Sequence, residues 1–273
     1  KAPTEKMYED AIIVFSNEYK QDHNVFQLLH DMEMNAWRLK EGEKTEGEEE
    51  GFCEDDGMEE GGMYVPKRGL IEGVAKCLST TSGRVDNAYY MLTNRTPGTS
   101  ITTSSFNCIL GACAKLGLVD SAFATYEDFE AYGLKPDANT FSYLMECLAV
   151  DLNNNDNNDK DEMTFHIEAA EEVFSLIHGY GIGITHHILK HYVQIQCACG
   201  NLQAARSAIE DTIENGDDVC VDSIAIVSQG YASLGKFDEA ESVAALAEKS
   251  RYGSIPLHLT KSIEKMKNEH SLR

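Results

Sequence analysis

No run of apolar residues in this chain approaches the ~18 needed to cross a bilayer as a helix, so membrane insertion is not expected. None of the eight cysteines stands in a C-x-x-C pair. Scattered through 273 residues, they are expected to be buried thiols of a reducing compartment, not a disulfide framework. Nucleophile elbows, phosphate-binding loops and paired-carboxylate signatures are missing as well, so no catalytic activity and no cofactor are expected. Bases are scarce: 23 Lys and Arg stand against 46 Asp and Glu, a formal charge of -23. Such a chain repels polyanions at long range and is not expected to bind DNA.

The acids are unevenly spread. Residues 41–62, EGEKTEGEEEGFCEDDGMEEGG, hold 11 acids and one Lys, and residues 151–163, DLNNNDNNDKDEM, hold five acids and one Lys. The first run reads as an acidic disordered loop and the second as a polar insertion. Together they carry −14 of the charge, which leaves about −9 for the rest. A chain that opens on Lys1 instead of Met is expected to be a processed or partial product.

What the sequence does have is a period. GRVDNAYYML (83–92), GLVDSAFATY (117–126), GNLQAARSAI (200–209) and GKFDEAESVA (235–244) share a Gly, a polar residue three places on, and an Ala five places on. Ala88, Ala122, Ala170, Ala205 and Ala240 are spaced by 34, 48, 35 and 35, and the one long interval contains the Asn/Asp run at 151–163. In one unit, Phe106, Ile109, Leu110 and Cys113 recur at helical spacing. Gly117 then breaks that helix, and Asp120 is expected to cap the next helix and face its positive dipole end. Ala122, Tyr126 and Phe129 form that helix's inner stripe, and Gly133 with Pro136 closes the unit. Each unit is a helical hairpin that cannot bury its apolar face alone. Stacking neighbours can, which predicts an all-α, right-handed α-solenoid of stacked helical hairpins.

The units fall at 69–102, 103–137, 138–185 (with the insertion at 151–163), 186–220 and 221–257. Residues 258–273 read as a terminal helix or partial repeat. Residues 1–40 read as N-terminal helices, a degenerate repeat among the readings, built on EDAIIVF (9–15) and NVFQLLHDMEMNAWRL (24–39).

With its period of 35, its opening Ser105-Phe106-Asn107 and its closing Gly133-Leu134-Lys135-Pro136-Asp137, unit 103–137 resembles a pentatricopeptide repeat. A tetratricopeptide array, of period 34, is the structural rival. The resemblance implies a protein of a mitochondrion or chloroplast that reads single-stranded RNA one base per repeat. It implies reading residues on the first helix and at the end of each repeat: Asn107 with Asp137, Ser142 with Thr185, Lys190 with Cys220, and Ala225 with about Ile255. The Asn107/Asp137 pair would favour a pyrimidine, uracil above all. Where the family places an aliphatic residue to sandwich bases, this chain has Ser104, Asn139, His187 and Asp222, and the family's basic residue near the end of the first helix occurs once, as Lys115.

Two metal readings stand beside bland ones. Asp151, Asn153, Asn155, Asn157, Asp159 and Glu162 have the ligand spacing of a calcium loop, but Asp156 sits where the turn needs Gly. His187 and His191 are four apart, as zinc ligands can be, yet in the repeat register they belong to an ordinary first helix with Cys197 and Cys199 packed at its end. No metal site is expected. Two functions remain open. One is a helical-repeat binding protein of organellar RNA metabolism or translation that contacts single-stranded RNA. The other is an acidic scaffold subunit that docks onto protein subunits of an organellar ribosome, polymerase or membrane assembly.

Overall fold

The computed structural model describes residues 84–94, 101–154, 160–217, 219–250 and 253–271, with Met7, Ala11, Asn24, Gln27, Leu28, Asp31 and Ala75 besides. The acidic run 41–62 and nearly all of the N-terminal helices expected over 1–40 lie outside the described residues. The chain divides into two compact units, residues 1–112 and 113–273. The described elements are all helical: α1 (Val85–Asn94), α2 (Thr103–Leu116), α3 (Val119–Ala131), α4 (Ala138–Asn154), α5 (Lys160–Gly179), α6 (His186–Ala198), α7 (Leu202–Glu214), α8 (Val221–Ser233), α9 (Phe237–Ala244), α10 (Leu246–Lys249) and α11 (Leu257–Ser271).

In the first unit, Val85, Ala88 and Leu92 are buried along one stripe of α1, and Phe106, Ile109 and Leu110 along α2. Tyr89 stacks on Phe106 with ring centroids 6.0 Å apart. Ala88 is fully buried, as its place in the repeat predicts.

The second unit is an α-solenoid of helical hairpins. Its first helices form one row, with α6 packed on α4, α8 on α6 and α11 on α8, while α3, α5, α7 and α9 are the second helices packed against them. The alanines of the period, Ala122, Ala170, Ala205 and Ala240, are all fully buried. A larger side chain there would hold the paired helices apart. Gly117, Gly200 and Gly235 of the period end their helices in the left-handed region. Gly117 has φ of 70°, and a Cβ at that position would meet the Asp151 backbone at 3.1 Å. The amide of Leu118 then donates to the Cys113 carbonyl at 3.0 Å, closing the Schellman turn.

Two expectations need correction. Asp120 does not cap α3: the residue before that helix is Leu118, with no side-chain cap bond. Asp120 lies in the first turn, where its carboxylate complements the dipole. Nor is 151–163 simply a polar loop. Asp151–Asn154 form the last turn of α4, and Lys160–Met163 the first turn of α5. The two helices have 17 and 20 residues, where α6 and α7 have 13 each. The added turns are held by His166, which is 1% exposed. Its Nδ1 donates to the Glu162 carbonyl at 2.8 Å, and its Nε2 faces Asp151 Oδ2 at 3.0 Å. Beside this pair, Leu118, Asp120 and Phe165 help to line a cleft of about 350 Å³.

Helix α11 begins one residue before the expected boundary and packs on α8 and α9, taking the place of a first helix in the row. Cys147, Cys197, Cys199 and Cys220 are free thiols. Burial pushes the Cys197 thiol up to about 12 and also raises Cys147 and Cys199, so these act as small packed groups and not as nucleophiles.

Candidate nucleic-acid interface

The unit boundaries of the period turn out to be helix caps. The residue that closes one repeat is the one that starts the first helix of the next. Asp137 Oδ1 accepts from the Thr140 amide at 2.9 Å, and Thr140 Oγ1 accepts from the Asp137 amide at 3.1 Å, a reciprocal capping box. Thr185 Oγ1 accepts from the Ile188 amide at 3.3 Å at the start of α6. In the first unit, Ser105 Oγ likewise accepts from the Thr102 amide at 3.3 Å. At α8 the same place is held by Cys220, with φ of −76° and ψ of 143° but no side-chain cap bond. Asp137 and Thr185, expected as reading residues, thus also start α4 and α6.

The other expected reading residues lie on first helices. Asn107 is on α2 in the first unit and is only 8% exposed. Lys115 is exposed in the last turn of α2, where its charge suits the helix C-terminus. Ser142 is half-buried on α4, and Lys190 is half-buried on α6. Asn107 and Asp137 fall in different units.

Within the second unit, side-chain contacts show which edge of each first helix shares a surface with the next. Lys190 Nζ on α6 lies 3.8 Å from Asp222 Oδ2 on α8. Gln229 Nε2 on α8 lies 3.5 Å from Ser262 Oγ on α11. His191 Nδ1 donates to Gln194 Oε1 at 2.9 Å. Burial holds the His191 imidazole below its usual pKa, with Gln194 and then the Glu146 carboxylate on α4 pulling the other way. This edge thus presents Ser142 and Glu146, then Lys190, His191 and Gln194, then Asp222 and Gln229. Sequence reasoning did not single out Glu146, Gln194 and Gln229. Each sits four residues after an expected reading position (Ser142, Lys190 and Ala225), one helical turn along the same face, and that spacing was the available signal.

Charge is segregated between the rows. The second helices α3, α5, α7 and α9 carry fifteen acids and two bases, a net of −13. The first helices α4, α6 and α8 carry three acids and one base, a net of −2. Of those three acids, Asp151 is turned to His166 at the far end of α4. The first-helix edge is consequently polar and close to neutral, rich in amides, hydroxyls and imidazoles that can both donate and accept. Among the described residues no group of three or more His, Cys, Asp or Glu could hold a metal ion, and the calcium-type spacing at 151–162 runs through helix at both ends.

Comparison with known proteins fits this architecture. The sequence model of the PPR repeat family matches residues 102–150. No curated protein matches the chain. Among solved structures, the PPR domain of Arabidopsis thaliana protein-only RNase P 1, crystallised with tRNA, is similar over 73% of this chain and 98% of its own, at 12% identity and a TM-score of 0.56. The pentatricopeptide repeat protein PPR10 from maize is similar over 98% of this chain and 47% of its own, at 14% identity and a TM-score of 0.31. The chain thus spans about half the length of PPR10. The period, the stacked hairpins and the family match agree: residues 102–150 carry a pentatricopeptide repeat, and the chain shares the helical-hairpin fold of the Arabidopsis domain.

Proposed function

We propose that this chain is a helical-repeat binding protein of organellar RNA metabolism or translation, and that it holds single-stranded RNA along the exposed edge of its first helices. The observation that carries the reading is the charge segregation. A strongly acidic protein that keeps a net of −13 on the second helices α3, α5, α7 and α9 and only −2 on the first helices α4, α6 and α8 leaves one face on which a polyanion meets little repulsion. That face carries hydroxyls and amides at one-turn spacing, suited to the edges of unstacked bases. The domain from Arabidopsis with this fold was crystallised with tRNA, which supports an RNA ligand. The organellar setting follows from the family resemblance.

The test is a fluorescence-anisotropy titration with a short U-rich single-stranded RNA at low salt. Tight binding is expected, weakened about tenfold by Gln229→Ala through the loss of a base-edge hydrogen bond, with a melting curve to confirm that the variant folds. Affinity in the micromolar range or weaker, together with no effect of Gln229→Ala, would end the proposal.

The acids of the second helices favour a second reading, an acidic scaffold subunit that docks onto a basic protein surface of an organellar assembly. A stoichiometric protein partner that survives nuclease treatment of an organelle extract would favour it. Recovery of RNA with no such partner would exclude it.

A further inference from the structure

Three stacked first helices, α4, α6 and α8, contain a single Lys or Arg between them, Lys190. Affinity for a nucleic-acid backbone comes largely from cations that neutralise phosphates, so the state of this one ammonium decides what the face offers. It is not free. Asp222, the second residue of α8, places Oδ2 3.8 Å from Lys190 Nζ across the junction of successive first helices. The carboxylate is held from two sides, by the ammonium and by the N-terminal turn of α8, where the dipole favours negative charge. The two side chains are 35% and 65% exposed, so the pair lies at the surface and a ligand can reach it.

We propose that Asp222 is an electrostatic latch on Lys190 that limits the affinity of the first-helix face for single-stranded RNA. The inference rests on the RNA reading above. A phosphate that approaches Lys190 must displace the Asp222 carboxylate and is repelled by it at the same distance. An exposed pair of this kind is individually weak, so the latch reduces binding without abolishing it. Partial neutralisation of Asp222, by substitution or by a basic group on a partner, exposes the one cation on the α4, α6 and α8 face.

The test compares wild type, Asp222→Asn, Lys190→Met and the double variant in titrations of a labelled U-rich single strand over a range of salt. Asp222→Asn, which keeps the side-chain shape, is expected to bind about fivefold more tightly at low salt, the gain shrinking as salt rises. The slope of log affinity against log salt is expected to steepen by about 0.7, the value for one further neutralised phosphate on a single strand. In the Lys190→Met background, Asp222→Asn should lose most of its gain. Equal affinity of wild type and Asp222→Asn would overturn the latch while leaving RNA binding intact. Equal gains in both backgrounds would also overturn it, because Asp222 would then repel RNA independently of Lys190. If neither wild type nor Asp222→Asn binds, the RNA reading itself fails and the latch falls with it.

Discussion

His191 shows how much one side chain on the first-helix edge is asked to do. Its ring is half-buried between α4 and α6, and burial lowers its pKa below the ordinary 6.5 despite the Gln194 hydrogen bond and the nearby Glu146 carboxylate. The folded state therefore prefers the neutral imidazole more strongly than the unfolded chain does. As pH falls through 6.5 the unfolded state takes up the proton first, so the His191 contribution to stability is full above that pH and is lost below it. His191→Gln is expected to remove this acid-side loss. Urea unfolding of both proteins between neutral pH and pH 5 checks it, and a stability difference that stays constant across that range would contradict the assignment. Only the difference between the two proteins is diagnostic.

At the scale of the element, the helix starts differ in quality along an otherwise regular array. Asp137 and Thr140 cap α4 reciprocally, whereas Cys220 stands at the start of α8 in an extended conformation with no side-chain bond to give. Thr140→Ala is expected to cost about 1 kcal/mol, and Cys220→Asp to add about 0.5–1 kcal/mol by supplying the missing cap. The pair of opposite shifts in urea midpoint is the measurement. A Cys220→Asp variant no more stable than wild type would show that the α8 start does not lack a cap in practice. These caps explain what could be read from the sequence. The glycines and alanines of the period were legible because each answers a strictly local demand, a positive φ or a close helix approach. The capping box Asp137-x-x-Thr140 is equally local, a side chain and an amide three residues apart. The lengthened α4 and α5 could not be read, because Asn and Asp are poor helix formers. What stabilises the added turns is the Asp151–His166 pair, fifteen residues apart in sequence.

At the scale of the whole molecule, charge acts on folding and on binding in opposite ways. A formal charge of -23 opposes compaction through self-repulsion, and salt relieves that repulsion within a Debye length of about 8 Å at physiological ionic strength. Added salt is therefore expected to raise the melting temperature. A nucleic-acid binder with many phosphate contacts would pay for the same salt with a steep loss of affinity. This chain offers one Lys on α4, α6 and α8, and that Lys is paired with Asp222. The slope of log affinity against log salt should consequently be no steeper than about −0.7, the value for a single neutralised phosphate on a single strand. Base-edge hydrogen bonds and stacking, which salt scarcely touches, must then supply most of the affinity. Melting curves and RNA titrations across one salt series would test both halves together. A steep negative slope would mean that RNA finds several cations at once, which the α4–α6–α8 edge does not contain, and the interface would have to be sought on other residues of the chain.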